Sequence, residues 1–148
     1  MKTLSFSVYG TPATQGSMVP VRNPKTGRIW MKHSNDKLMP WRDSVRVACM
    51  AKKESEGIAG LMTGPVILSV TFEFARFKSH YKSNGNLATG APVYPRQDLD
   101  KLLRALLDAL TGVAIADDSQ VMNIHCSKVF VNINEIPQTR VELSGTEG

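Results

Sequence analysis

The segment Arg96–Val121 constrains the fold more than any other part of the 148-residue chain. Its leucines recur at the i, i+3, i+4 and i+7 spacing of a helix with one buried face. This apolar stripe consists of Leu99, Leu102, Leu103, Leu106, Leu107 and Leu110. Thr111 and Gly112 follow the stripe as a C-terminal stop signal. The sequence therefore predicts an amphipathic helix that ends near residue 111.

An Asp-x-Asp motif stands at the start of this helix. Two residues that are two apart lie on the same side of an extended segment but on different sides of a helix. Pro92 and Pro95, just upstream, favour an extended approach. We therefore expect Asp98 to precede the first turn and Asp100 to lie at or near its start, so that both carboxylates converge on the helix N-terminus.

A second acidic pair, Asp117–Asp118, follows the helix after a short loop, and we expect it to return to the same end of the sheet. Arg104 lies one turn after Asp100, outside the leucine stripe. Three or four carboxylates beside one or two cations are the composition of a hard-metal site. Mg2+ and Mn2+ prefer oxygen ligands and keep open positions for water and phosphate.

A structural explanation competes with the metal-site interpretation. An Asp at a helix start is often only an N-cap that also complements the helix dipole, and Asp-Asp after a glycine loop is often a solvated turn. Each motif alone favours this structural explanation. The two motifs, however, occur together within 21 residues beside Arg96, Lys101 and Arg104. That combination favours a functional site.

The stretch DLDKLLRALLDALTGVAIADDSQV, residues 98–121, resembles the signature of RusA-type Holliday-junction resolvases. In that family a D-x-D-N-x-x-K helix is followed by D-A-L-T-G and D-D-x-Q-V. Weaker agreement extends over most of the chain, including an early strand followed by Gly-x-Pro. The resemblance implies that Asp98, Asp100 and Asp118 bind Mg2+, with Asp117 as their neighbour.

Two positions depart from the family pattern. Lys101 stands where the family often has Asn, and Arg104 stands where it often has a functionally important Lys. Arginine can hold phosphate charge bidentately but cannot give up a proton at ordinary pH. Arg104 is therefore assigned an electrostatic role and not that of a general base. Lys101 either adds a second cation or faces solvent.

Charge is distributed unevenly along the chain. Residues 1–53 hold ten Lys/Arg and two Asp/Glu, whereas residues 54–148 hold eight and eleven. A basic N-terminal portion beside a carboxylate-bearing C-terminal portion suits a polyanion that is held on one surface while metal ions act at another.

The turn signal Asn23–Gly27 predicts that Met18–Arg22 and Arg28–Lys32 pair as a hairpin. Trp30 and the basic residues of this hairpin either grip and stack on nucleic acid or are solvated. The candidate DNA-binding residues are Arg22, Lys25, Arg28, Lys32, Arg96 and Lys101.

The remaining pattern predicts an α+β fold: one domain over residues 1–148, with a mixed β-sheet and two main helices packed on it. Beyond the hairpin and the leucine helix, the predicted elements are strands at Leu4–Tyr9, Pro65–Phe77, Gln120–Asn132 and Pro137–Leu143 and a helix at Asp36–Glu56. We expect residues 10–35 and 78–95 to be mobile loops that face the substrate. The tail Ser144–Gly148 is expected to fray.

Several classes of protein are disfavoured. No stretch approaches the ~20 apolar residues of a membrane span, and no signal peptide is recognisable. Cys49 and Cys126 are expected to be small apolar fillers and not a disulfide, which fits a cytoplasmic location. No Cys/His spacing suggests zinc. An Asp-x-Asp also marks metal-dependent glycosyltransferases, but no Gly-rich phosphate loop is present and such folds exceed this chain in size.

The sequence therefore predicts a Mg2+-dependent endodeoxyribonuclease that resolves four-way DNA junctions, with Mn2+ as a substitute ion. Because a junction has two-fold related strands to cut, we expect a homodimer with two sites, as the resemblance also implies. The alternative is a branched-DNA-binding protein without catalysis, whose carboxylates serve only as helix caps and whose binding falls steeply with salt.

Overall fold

A mixed four-stranded sheet with two helices forms the body of the molecule, and a separate two-stranded hairpin is attached to it. The computed structural model describes residues 2–147, and side chains over residues 2–145. Its main elements are β1 (Lys2–Tyr9), β2 (Met18–Arg22), β3 (Ile29–His33), α1 (Leu38–Ser55), β4 (Met62–Ala75), α2 (Leu99–Leu110), β5 (Val121–Val131) and β6 (Gln138–Glu147). This architecture confirms the α+β class and the single domain.

The sheet has the strand order β1-β6-β4-β5. Strand β6 is antiparallel to both of its neighbours, whereas β4 and β5 are parallel. Consecutive strands β5 and β6 are therefore not partners, since β4 lies between them. A parallel pair needs a crossover connection, and here α2 provides it. It follows that the chain enters α2 at the end of the sheet where β4 finishes and leaves it where β5 begins.

One face of the sheet packs against both helices. Alternate residues of the strands point into this core, as the period of a half-buried strand requires. The central strand β4 contributes most of them, including Val66, Leu68 and Phe72, each with no exposed surface. The leucine stripe of α2 covers the same face with Leu102, Leu106 and Leu110 fully buried. The burial of these leucines thus confirms the predicted amphipathic helix.

Helix α1 lies within the range predicted for it, and Pro40 falls in its first turn, where a missing N–H costs nothing. Its N-cap is Lys37, which makes no side-chain cap hydrogen bond. Neither Ser34 nor Asp36 therefore caps this helix. Asn35 instead stabilises the turn before the helix, because its Oδ1 accepts a hydrogen bond from the Lys37 amide at 3.0 Å.

The C-terminal segment is more ordered than the sequence suggested. Strand β6 extends through Glu147, and Ser144 and Gly145 pair with β1 and β4. The expectation that the tail frays from Ser144 was therefore wrong up to residue 147, and Gly148 lies outside the described residues. A Cβ at Gly145 would approach the Pro65 carbonyl oxygen to 3.2 Å, so only glycine fits there without movement.

The predicted hairpin of β2 and β3 is confirmed, with Val21 opposite Trp30 in its register. Its turn contains Gly27 at φ 70°, a left-handed conformation that glycine adopts without strain. At the base of the hairpin, Asn35 Nδ2 donates to the Thr14 carbonyl at 3.2 Å.

Both cysteines are free, as predicted. Cys49 is buried in the core, and this burial raises the pKa of its thiol to about 11, so it is an unreactive filler. Within residues 2–147, no helix has the length and apolar character needed to cross a membrane.

Candidate functional site

Asp98 is the N-cap residue of α2 and has the extended backbone expected for it, with φ −69° and ψ 129°. Its side chain makes no capping hydrogen bond, although the position would allow one. The carboxylate is 61% exposed, and Oδ2 lies 3.2 Å from Lys101 Nζ. Asp98 therefore presents its carboxylate outward beside the ammonium group of Lys101.

Asp100 and Arg104 lie one turn apart on the exposed side of α2. Asp100 is in the first helical turn, where a negative charge also complements the helix dipole. Both side chains are exposed. Neither residue has a side-chain hydrogen bond or ion pair to another described residue, so both groups are available to a ligand. The N-terminal end of α2 thus carries two outward carboxylates and the cations of Lys101 and Arg104.

Lys128 of β5 is a further cation at this end, and the sequence analysis did not assign it. Its Nζ donates to the Gln97 carbonyl oxygen at 2.7 Å, directly before Asp98, and lies 5.6 Å from the centroid of the Tyr94 ring. In the register of the sheet it aligns with the buried Phe72, so its stem points toward the core. A lysine at an inward position of a strand was the signal that could have identified it.

A cluster of three rings, Phe77, His80 and Phe130, anchors the segment that leads into α2. The His80 ring packs edge-on against Phe77 and Phe130, with centroid separations of 5.2 and 5.5 Å. Arg76 stacks on the Phe130 ring at 4.3 Å and donates from Nη1 to the Pro92 carbonyl at 2.8 Å. Part of the loop expected to be mobile is thus tied to the ends of β4 and β5. Its mobility remains a prediction.

The second acidic pair has a different environment. Asp117 caps a 3-10 turn (Asp118–Gln120), because its Oδ1 accepts from the Ser119 amide at 2.8 Å. This backbone hydrogen bond is the main reason why the pKa of Asp117 lies below its ordinary value. Asp118 is exposed beside it. Capping therefore accounts for Asp117, whereas Asp118 is left as the outward carboxylate of the pair.

Gln120 fixes this pair to the start of the sheet. Its Nε2 donates to the carbonyl oxygens of Met62 and Gly64 at 2.7 and 3.0 Å, and its Oε1 accepts from the Ala116 and Asp117 amides at 2.8 Å each. The acidic pair is consequently held where β4 and β5 begin.

The two acidic pairs do not meet within one chain. Asp98 and Asp100 lie near the finishing ends of β4 and β5, and Asp118 lies where those strands begin. Between them runs the length of α2, about 18 Å for its 12 residues at ~1.5 Å each. Over the described residues, no group of three Asp, Glu, His or Cys side chains is placed to hold a metal ion. The expectation that Asp117–Asp118 returns to the same end was therefore wrong.

The donor chemistry nevertheless fits Mg2+. Both acidic pairs offer exposed carboxylate oxygens, which are the ligands that Mg2+ prefers, and the Asp98 carboxylate is not used as a cap. One chain has too few carboxylate ligands at either end of α2. It supplies Asp98 and Asp100 at one end and the Asp117–Asp118 pair at the other.

The candidate DNA-binding residues of the hairpin, Arg22, Lys25, Arg28 and Lys32, all have exposed side chains, and so does Arg96. Of these, Lys32 forms an ion pair with Asp36, with 2.9 Å between Nζ and Oδ1. An exposed ion pair of this kind contributes little to stability and can open for a phosphate. The hairpin therefore presents a basic surface.

Comparison with known proteins gives a family match over nearly the whole chain. The model of the family "Endodeoxyribonuclease RusA" matches residues 13–144. A protein of Bacillus subtilis (strain 168), the uncharacterized protein YqaN, is 26% identical over 145 residues, which cover 95% of both chains.

Proposed function

The chain belongs to the RusA family of endodeoxyribonucleases, and from this we propose that it is a Mg2+-dependent endonuclease that resolves four-way DNA junctions. The observation that supports a catalytic role for its carboxylates is the state of Asp98. Its side chain stands at a helix N-cap, makes no capping bond and lies exposed beside Lys101. A purely structural aspartate at that position would be expected to cap the helix.

In this proposal Asp98, Asp100 and Asp118 hold the metal, with Asp117 next to them. A bound Mg2+ would supply an activated water and charge neutralisation at the scissile phosphate. Arg104 contacts non-bridging phosphate oxygens and stabilises the charge that develops there, as a guanidinium fork does well. Lys101 orients the Asp98 carboxylate. Lys128 orients the backbone just before Asp98.

We further propose that two copies of the chain complete each site. A junction presents two-fold related strands, which a two-fold symmetric dimer matches. The separation of the acidic pairs along α2 supports the same arrangement, because Asp118 of one copy could then approach the Asp98 and Asp100 of the other. A dimer of this kind has two sites, and neither is complete in a separated chain.

One observation favours the non-catalytic alternative. Asp117 is already used as a cap, so one of the four carboxylates has a structural explanation. A branched-DNA-binding protein would hold junctions through its basic hairpin and show no cleavage with metal.

The test is a labelled synthetic four-way junction, incubated with the protein in Mg2+ or in EDTA, beside a linear duplex of the same sequence. The proposal predicts paired nicks at symmetric positions, only with metal and only on the junction. Tight junction binding without any cutting in Mg2+ or Mn2+ would establish the non-catalytic alternative instead.

A further inference from the structure

The hairpin of β2 and β3 and the start of α1 enclose an apolar notch. The notch has a cavity volume of about 340 Å3. Its apolar lining comes from Met18, Trp30, Met31 and Met39, and its polar lining from Lys32, His33, Asn35 and Asp36. A tryptophan and three methionines form an unusually polarisable surface, since thioethers and indole rings both contact aromatic groups favourably.

Much of this lining is uncovered. Trp30 is 48% exposed and Met31 54%, and their neighbour Ile29 is 67% exposed. Hairpins of only two strands are at best marginally stable in water by themselves. Large apolar groups on both faces of such a hairpin indicate a contact surface and not a core.

The charge of the hairpin identifies the class of occupant. The hairpin and its turn carry Arg22, Lys25, Arg28 and Lys32. Lys32 lines the notch together with Asp36, its exposed ion-pair partner, and the other three cations lie elsewhere on the hairpin. A basic hairpin that carries an apolar notch complements a polyanion that also offers an aromatic face. Nucleic acid with an unstacked base has both properties, because the phosphates meet the cations while the base stacks on the ring.

We propose that the notch captures one unstacked base of branched or single-stranded DNA, with Trp30 as its stacking platform. This inference rests on the proposed function and adds to it a source of structure selectivity. Bases at a branch point or in a single strand can leave the stack at low cost, whereas those of a continuous duplex cannot. The cations bind phosphates of any DNA, and Trp30 distinguishes the branched form.

The experiment measures dissociation constants in EDTA, where no metal-dependent cleavage occurs. The probes are a four-way junction, an oligo-dT strand and a linear duplex. Trp30→Ala is expected to weaken junction and oligo-dT binding roughly 5- to 100-fold, as loss of a stacked base does, and to leave duplex binding within about twofold. Trp30→Phe, which keeps an aromatic ring, is expected to recover most of the loss.

Val47→Ala is the matched control, because Val47 is 67% exposed on α1 and does not line the notch. A second measurement uses the Trp41→Phe background, in which Trp30 is the only tryptophan. There, oligo-dT should quench the Trp30 fluorescence, and duplex should not.

Equal weakening on all three DNAs, or no effect beyond that of Val47→Ala, would overturn the proposal. A change of oligomeric mass in Trp30→Ala would overturn it as well, since the notch would then seat a second copy of the chain. Failure of the proposed function is a separate result: wild-type protein that never cuts a junction but still shows Trp30-dependent selectivity would support the notch and reject the nuclease.

Discussion

Asp98 and Asp117 occupy equivalent positions at helix starts but form different side-chain interactions. Each precedes a helical turn in extended conformation, and each is followed by a second exposed aspartate. Asp117 accepts a hydrogen bond from the Ser119 amide, whereas Asp98 makes no capping bond and forms an ion pair with Lys101. Position at a helix start therefore does not decide whether a carboxylate is structural; the bond it makes does.

The two ends of α2 show the same contrast. Its C-terminal carbonyls are satisfied by cations from α1, since Arg46 bonds the carbonyls of Asp108 and Ala109 at 3.3 and 3.1 Å, and Lys53 bonds that of Val113 in the following turn at 2.7 Å. Its N-terminal end keeps exposed carboxylates. The unsatisfied groups of a helix end can be satisfied by a ligand as well as by protein or water.

Asp100→Asn should give the largest effect. We expect junction cleavage to fall by roughly 100-fold or more, because the neutral amide removes a metal-binding charge. Junction binding in EDTA and the thermal unfolding midpoint should stay close to wild type, since the side chain is exposed. Undiminished cutting, or loss of folding, would remove Asp100 from the site.

The next largest effect separates the two neighbours of the second acidic pair. Asp118→Asn should reduce cleavage about as strongly as Asp100→Asn. Asp117→Asn should stay within roughly tenfold of wild type, because asparagine caps as well as aspartate does. Rates on the same labelled junction measure both variants, and the reverse order of the two losses would show that Asp117 is the ligand.

Lys128→Met tests whether a partly buried cation positions the first acidic pair. Methionine keeps an apolar stem but cannot donate to the Gln97 carbonyl, so Asp98 should lose its alignment. We expect cleavage to fall roughly 10- to 100-fold, with junction affinity in EDTA nearly unchanged. Lys82→Met, at an exposed loop lysine, is the control; an equal loss in both variants would indicate a general charge effect.

Asp117→Ala should have the smallest effect, and it concerns stability. The Ser119 hydrogen bond lowers the pKa of Asp117 in the folded state, so ionised Asp117 stabilises the fold above its unfolded pKa. That contribution is lost as pH falls through the lowered pKa. The difference in unfolding midpoint between wild type and variant should therefore be present at pH 7 and narrow in acid. A difference that stays constant with pH would contradict this assignment.

Local features of the fold were predictable, whereas long-range placement was not. The leucine stripe and the Asn23–Gly27 turn specify α2 and the hairpin through neighbouring residues alone. Nothing local indicates that β4 separates β5 from β6, because strand order depends on pairing between distant segments.

The order of the elements along the chain already indicated where Asp118 would lie. A strand, a helix and a second strand in succession favour a parallel crossover. In such a unit the helix runs back along the sheet, so residues that precede it and residues that follow it lie at opposite ends. Asp98 and Asp118 had to be separated once β4 and β5 were parallel.

We propose that each site takes its carboxylates from two copies of the chain. The most direct measurement mixes two inactive variants, Asp100→Asn and Asp118→Asn, after co-refolding them in equal amounts. If the sites are shared, a mixed dimer has one site that combines intact Asp98 and Asp100 of one copy with intact Asp118 of the other. Cleavage should then return as single nicks, at about a quarter of the wild-type site number, because about half of the dimers are mixed. A mixture as inactive as either variant alone would show that the two copies do not share their sites.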